Sequence, residues 1–235
     1  MISTEKLLYD VDFRLNKVAA NANQSIFLED KIVAINHSLV KLVKQKLNPN
    51  NIYKLGVDSF NKRLDDFRTI IPPEYSIGVS KISDDRYLAD ISIVPDYMFF
   101  LKCYIVADKG ECTNRVLDVN IIPHADIREW LSSQHLCPSF EYQETFGVMS
   151  SDGIEVYTDS IFIPTSLHII YIRYPKPVDY PGYIHLDGVA SALVDSDLPD
   201  YLRDEIVDLA VQELAMATDN VNAVEFTNQR IANNE

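Results

Sequence analysis

The chain has 235 residues, with 35 acidic against 21 basic side chains, and a formal charge of −14 when its five histidines are neutral. A negative charge of this size repels phosphate backbones and disfavours a nucleic-acid binder that relies on counterion release over its whole surface. Apolar residues make up 47% and charged residues 24%, which is typical of a folded chain and not of a disordered or membrane-embedded one.

The charge is unevenly distributed along the chain. Residues 1–70 hold 11 basic and 8 acidic residues, for a charge of +3, whereas residues 71–235 hold 10 basic and 27 acidic residues, for a charge of −17. The sequence therefore predicts two surfaces of different electrostatic character.

The beginning of the chain has the periodicity of amphipathic helices. Apolar residues recur at three- and four-residue steps over residues 3–20 and again over residues 28–47, which predicts two helices. A third helix is predicted over residues 58–70, and the pair Pro72–Pro73 ends the helical region.

From residue 75 the period changes to two, and β-branched and aromatic residues become frequent. This pattern predicts a series of strands, with one short helix near residues 126–133. The predicted strands cover residues 75–82, 86–94, 97–107, 111–122, 142–149, 154–157 and 167–174. Because the strands do not alternate with helices, an antiparallel sheet or sandwich is expected.

The chain is predicted to return to helix at its end. A helix is expected from the Asp-Leu-Pro sequence at residues 197–199 to about residue 218, with a weaker helical tail over residues 221–231. The order of elements predicts an α+β fold, in which the N-terminal helices and a long C-terminal helix form a bundle beside a sandwich-like antiparallel β-domain. The expected divisions are an N-terminal helical region, residues 1–73, a central β-rich domain, residues 74–180, and a C-terminal helical region, residues 181–235, packing with the N-terminal helices.

Motifs that carry chemistry were not found in the sequence. It contains no glycine-rich phosphate loop, no H-E-x-x-H zinc motif and no G-x-S-x-G nucleophile elbow. The three cysteines, Cys103, Cys112 and Cys137, are odd in number and form no C-x-x-C pair, so neither a disulfide framework nor a zinc site is supported. We therefore expect a protein that is not an enzyme, with no catalytic, cofactor-binding or metal-binding residues.

A group of lysines in the basic N-terminal third is a possible contact face. One interpretation is an ordinary solvated helix surface, and the other is contact with an acidic neighbouring subunit or with nucleic acid. The group comprises Lys41, Lys44, Lys46 and Lys54.

Four stretches together resemble the head-to-tail connector proteins of tailed bacteriophages, also called adaptor or ring proteins. They are the amphipathic start at residues 3–9, the second helix around residues 31–36, the strand-to-loop passage at residues 170–177 and the final helix at residues 198–211. Among connectors, the chain is most similar to the ring proteins of crAss-like phages.

The resemblance implies a structural role in the virion. Copies of the chain would form a homo-oligomeric ring, with twelve subunits expected, beneath the portal protein. The ring would extend the DNA channel, contact other neck or tail proteins and let DNA pass without specific binding. It implies no cofactor and no membrane, and a location at the neck of a virion whose proteins are made in the host bacterial cytoplasm.

Within that ring, acids of the final helix are candidates to face the channel or a partner, while the lysine group would contact an acidic portal. An acidic channel wall would favour passage of DNA over binding. The candidate acids are Asp200, Asp204 and Asp208.

Two alternatives remain open at this point. The first is a different virion component, such as a tail-hub or other tail-attachment protein, which a predominantly β middle region would also suit. The second is a cytosolic enzyme whose carboxylates converge only in the folded chain, in a pocket where their pKa values would be raised.

Overall fold

A computed structural model describes residues 1–18, 26–47, 65–217 and 228–229. The chain divides into two compact units. One, the helical unit, joins Met1–Ile70 to Tyr174–Glu235, and the other, the barrel unit, is the continuous segment Ile71–Arg173.

The described residues form four α-helices. They are α1 (Thr4–Val18), α2 (Leu28–Leu47), α3 (Ile127–Ser132) and α4 (Arg203–Ala217). The two predicted N-terminal helices and the predicted short helix between strands are thereby confirmed.

Two further helical predictions fall largely outside the described residues. Of the predicted helix at residues 58–70, only residues 65–70 are described, and they form a short helical turn that ends in the 3₁₀ segment Arg68–Ile70. Of the predicted tail at residues 221–231, only residues 228–229 are described.

The seven predicted strands are confirmed, with bounds that shift by a few residues. The strands are β1 (Tyr75–Ser83), β2 (Arg86–Ala89), β3 (Tyr97–Lys109), β4 (Cys112–Ile121), β5 (Glu144–Ser150), β6 (Gly153–Tyr157) and β7 (Ile163–Arg173). The second strand ends earlier than predicted because the chain turns into a 3₁₀ segment at Ile91–Ile93, where Asp90 accepts a hydrogen bond from the Ser92 amide.

These strands close into a barrel in the order β1-β2-β6-β5-β4-β3-β7, and the predicted sandwich is therefore wrong. Closure occurs because β7 pairs with β3 along one edge and with β1 along the other. All neighbouring pairs are antiparallel except β4 with β5, which are parallel and are separated in sequence by α3. The barrel interior is apolar: alternate residues of β3, Cys103, Ile105 and Ala107, are buried there.

The predicted helical bundle with a long C-terminal helix is also wrong. Helix α4 has only 15 residues, and it packs against α1 and α2. The 29 residues between β7 and α4, residues 174–202, are mostly extended, apart from a 3₁₀ turn at Asp200–Leu202. This extended segment is attached to the N-terminal helices, because Ile2 pairs with Ser196 and the Asn36 side chain pairs with the Val178 backbone. The chain is thus a mixed α+β protein with a closed seven-stranded barrel.

Candidate functional site

The three candidate acids near the start of α4 have different environments. Asp200 and Asp204 are exposed, whereas the Asp208 side chain is 0% exposed. Asp208 forms an ion pair with Arg14 of α1, whose side chain is itself only 11% exposed. The Asp208 side chain is thus buried within the helical unit, whereas the side chains of Asp200 and Asp204 reach solvent.

Arg14 joins the two ends of the chain in the helical unit. Besides Asp208, its guanidinium binds the Asp204 carboxylate and donates to the Asp204 backbone carbonyl at 3.0 Å. The fork geometry of arginine suits this arrangement, because its several N–H groups can satisfy two carboxylates one helical turn apart. Of the three acids, Asp200 is the one with no contact to Arg14, although it lies 3.9 Å from Arg203.

The lysine group is also divided by the structure. Lys46 is mostly buried and lies 3.0 Å from Asp66 and 2.9 Å from Glu205, so it is used within the helical unit. Lys41 and Lys44 are exposed on α2, and Lys54 lies outside the described residues. Of the four lysines in the predicted group, Lys41 and Lys44 are therefore the two that the structure places on the surface.

This pair borders a shallow groove on α2, which we call the α2 groove. The groove has a volume of about 580 Å³ and is lined, among the described residues, by His37, Val40, Lys41, Lys44 and Gln45. Two of these residues contact α4. Lys41 donates a hydrogen bond to Gln212 Oε1 at 3.1 Å, and His37 Nδ1 lies 2.7 Å from Glu213 Oε1. The groove combines an apolar floor at Val40 with positive charge at its rim.

A second surface feature lies in the extended segment before α4, where residues 179–194 fold into a hairpin that we call the arm. Its base is closed by two backbone hydrogen bonds between Asp179 and Val194, at 3.1 and 3.0 Å. Nearer the tip, the Ser191 amide donates to the Tyr183 carbonyl at 3.0 Å and the His185 amide to the Val189 carbonyl at 2.9 Å. Ladder pairing of this kind gives the arm a defined backbone conformation.

The carboxylate of Asp179, at the base of the arm, accepts hydrogen bonds from several other residues of the arm. It accepts hydrogen bonds from the Tyr183 hydroxyl (2.6 Å), the Tyr180 amide (2.8 Å), the Ala192 amide (2.9 Å) and His185 Nε2 (3.0 Å). Burial by itself would raise the pKa of Asp179, but these hydrogen bonds favour the charged form and hold the pKa at about 2. Burial and the contact with Asp179 raise the pKa of Tyr183 to about 12.

The arm presents apolar side chains to solvent. The tip residue Leu186 is fully exposed, and more than half of the surface of each of the other three is exposed. The four residues are Ile184, Leu186, Val189 and Leu193. A hairpin with four exposed aliphatic side chains within ten residues of sequence is typical of a protein contact surface.

The arm was not among the predicted elements, although the sequence carries a signal for it. The dipeptide Asp187–Gly188 lies between the apolar residues Ile184 and Val189, and such a dipeptide is a strong short-range indicator of a hairpin. Gly188 has φ of +83°, which favours glycine, and the Asp187 carboxylate accepts from the Val189 amide at 3.1 Å. The dipeptide alone did not predict the arm, because the residues that flank it lack the alternation of a longer strand.

The barrel unit brings together three residues of the types found in hydrolases. Ser166 Oγ lies 3.2 Å from His168 Nε2, and His168 Nδ1 lies 3.8 Å from Glu74 Oε1. Ser166 lies within β7, in register with Gly78 of β1 and Val106 of β3, so the sheet surrounds its backbone on both sides. The ring of Tyr104 stacks on His168 at 4.8 Å and covers one face of the imidazole. Ser166 thus lies in the middle of a paired strand and not at the strand-to-helix turn that exposes a nucleophile in hydrolases, so we do not base a function on it.

The remaining features of the described residues concern metals, thiols and membranes. No group of three or more His, Cys, Asp or Glu side chains within the described ranges is placed to hold a metal ion. The three cysteines are free, and burial raises the pKa of the Cys103 thiol to about 12. None of the helices in the described ranges has the length and apolar character needed to cross a bilayer.

Comparison of the chain with protein-family models finds no match, and comparison with curated protein sequences finds none either.

Proposed function

We propose that this protein is a structural subunit of the head-to-tail connector of a tailed bacteriophage, where copies of the chain form a ring beneath the portal. The ring would extend the DNA channel at the neck of the virion and contact the portal and other neck or tail proteins. The single observation that carries the proposal is the arm, a rigid hairpin that holds four aliphatic side chains in solvent.

The arm supports an assembly function, because the exposure of its aliphatic side chains to water is unfavourable unless another protein covers them. Burying each such side chain against another protein is worth about 1.5 to 3 kcal/mol. The hydrogen bonds around Asp179 hold the arm in one conformation before contact, so little conformational entropy is lost when it binds.

The distribution of charge supports passage of DNA through such a ring. Residues 71–235 carry a charge of −17, and Asp200 remains exposed beside α4. An acidic wall repels the phosphate backbone and disfavours binding of DNA that must move through the channel.

The test is the assembly state of the purified chain, measured by size-exclusion chromatography with light scattering and by electron microscopy of the same fractions. We expect closed rings with a central opening wide enough for a DNA duplex. The same rings should retain no DNA at physiological salt. A chain that remains monomeric, or one that binds duplex DNA tightly, would contradict the proposal.

A further inference from the structure

We propose that the arm of one subunit inserts Leu186 and Asp187 into the α2 groove of a second copy of this chain. This contact deepens the proposed connector function and rests on it, because it names the surfaces through which neighbouring subunits would meet. It is a head-to-tail contact, in which two different surfaces of the same chain bind each other.

The chemistry of the two surfaces is complementary. The arm tip offers the aliphatic side chain of Leu186 followed by the exposed carboxylate of Asp187. The α2 groove offers the half-buried Val40 as an apolar floor, with the ammonium groups of Lys41 and Lys44 at its rim. Leu186 can therefore contact Val40 while Asp187 pairs with a lysine, so no charge is left buried without a partner.

The arm cannot fill the groove of its own subunit in this conformation. At the base of the arm, the Val178 backbone is bound to Asn36, and four residues later a β-carbon at Gly182 would lie 3.3 Å from Leu28 Cδ2. The chain thus runs along α2 toward the N-terminal end of that helix, whereas the groove occupies its C-terminal half. Leu28 and Val40 are about 18 Å apart along the helix axis at 1.5 Å per residue.

The complete exposure of Leu186 agrees with this direction, because a side chain in the groove of its own subunit would be partly covered. The arm and the groove consequently lie toward opposite ends of α2. Two different surfaces on opposite ends of one subunit produce a heterologous contact, which forms a ring when the rotation between subunits closes.

The test uses one variant for each surface. The arm variant is Leu186→Ser, and the groove variant is the double substitution Lys41→Glu/Lys44→Glu. All three positions are exposed, so both variants should fold, which circular dichroism can check. The matched control is Ile161→Ser, which removes an exposed aliphatic side chain from a loop of the barrel unit.

Each variant alone should associate with itself at least about tenfold more weakly than the wild type, since anchor residues at interface centres have effects of this size. The control should assemble as the wild type does. The decisive sample is an equimolar mixture of the arm variant and the groove variant, examined by sedimentation velocity. Because one intact arm and one intact groove remain, the mixture should form one-to-one dimers that cannot extend.

Several outcomes separate this contact from the proposed function. If wild type and both variants form the same rings, the contact between arm and groove is wrong while the ring remains. If the mixture gives dimers but the wild type forms open filaments, the contact holds and the closed ring is wrong. If the arm variant fails to assemble but the mixture yields no dimers, the arm binds another surface, which also overturns the contact. A monomeric wild type would overturn both.

Discussion

The two units of this protein are built in different ways. The barrel unit is one continuous segment whose seven strands each pair on both sides around an apolar interior. The helical unit joins the two ends of the chain, and its segments are linked by polar contacts between distant residues, such as those of Arg14 with Asp208 and of Lys46 with Glu205. Both units have an apolar core, and that of the helical unit includes the buried side chains of Leu7, Ile35 and Ile206. The helical unit differs in that charged pairs also join its two separate chain segments.

The largest expected effect is the loss of packing in the barrel unit. Phe146 of β5 is fully buried, stacks on Tyr157 at 4.8 Å and contacts Trp130 of α3 edge-on at 5.6 Å. Phe146→Ala should lower the free energy of unfolding by about 3 to 5 kcal/mol, because it removes apolar contacts and leaves a cavity. Trp130 is the single tryptophan of the chain, so its fluorescence during urea unfolding reports this transition.

The matched control for this prediction is Met149→Ala, since Met149 lies on the same strand with its side chain partly exposed. It should change the free energy of unfolding by less than about 1 kcal/mol. Equal losses in the two variants would show that packing at Phe146 is not what stabilises this part of the barrel.

The next effect concerns the charged pair that joins the ends of the chain. Asp208→Asn replaces the buried carboxylate beside Arg14 with a neutral amide. The positive charge of the mostly buried guanidinium is then balanced less well, because the remaining Asp204 carboxylate is exposed. Removing one partner of a buried ion pair costs about 3 to 5 kcal/mol, and the lower end is expected here because Asp204 still binds Arg14. Hydrogen exchange of α1 and α4, followed by mass spectrometry, should show faster exchange in both helices.

Asp204→Asn is the control for Asp208→Asn, because both carboxylates bind the same arginine but the Asp204 side chain is 63% exposed. An exposed ion pair contributes about 1 kcal/mol or less, so exchange in α1 and α4 should change little. If the two variants had the same effect, burial of Asp208 would not be the reason for its contribution.

The sequence predicted the strands well but not the way in which they close. Alternating patterns locate β1, β3 and β7 because one face of each strand is buried in the barrel. The same alternation occurs in a sandwich, and closure depends on β7 pairing with β1, which lies about 90 residues earlier in the chain. A local pattern carries no information about that long-range pairing, so the predicted sandwich was wrong.

The candidate site shows a similar limit. Asp200, Asp204 and Asp208 have the same residue type and regular spacing, yet Asp208 is buried against Arg14, whereas Asp204 binds the same guanidinium from an exposed position. Likewise, Lys46 is mostly buried between the carboxylates of Asp66 and Glu205, whereas Lys41 and Lys44 on the same helix are exposed. Residue type predicted the charge of each surface, whereas the choice between surface and interior depended on contacts with residues from other parts of the chain, such as that of Arg14 with Asp208.

The smallest expected effect is a local one, in the arm of the helical unit. Asp179 has a pKa of about 2 in the folded chain, below its ordinary value of 3.8. A carboxyl group whose pKa is lowered on folding stabilises the fold above its unfolded pKa, and this contribution is lost as the pH falls toward the folded pKa. The arm should therefore retain its conformation above about pH 4 and loosen between about pH 4 and pH 2.

Asp179→Asn should remove this pH dependence and destabilise the arm by about 1 to 2 kcal/mol, with the figure kept low because the carboxylate is not fully shielded from water. The measurement is nuclear magnetic resonance of the Tyr180 and Ala192 amides, both of which donate to Asp179. Their chemical shifts should titrate with a midpoint near pH 2 in the wild type and stay constant in the variant.

Asp187→Asn is the control, because Asp187 accepts a single amide hydrogen bond at the exposed tip and its substitution should leave the midpoint unchanged. A wild-type midpoint near pH 4 would mean that the four hydrogen bonds do not hold the carboxylate in its charged form, and that the arm is not rigid before it meets a partner.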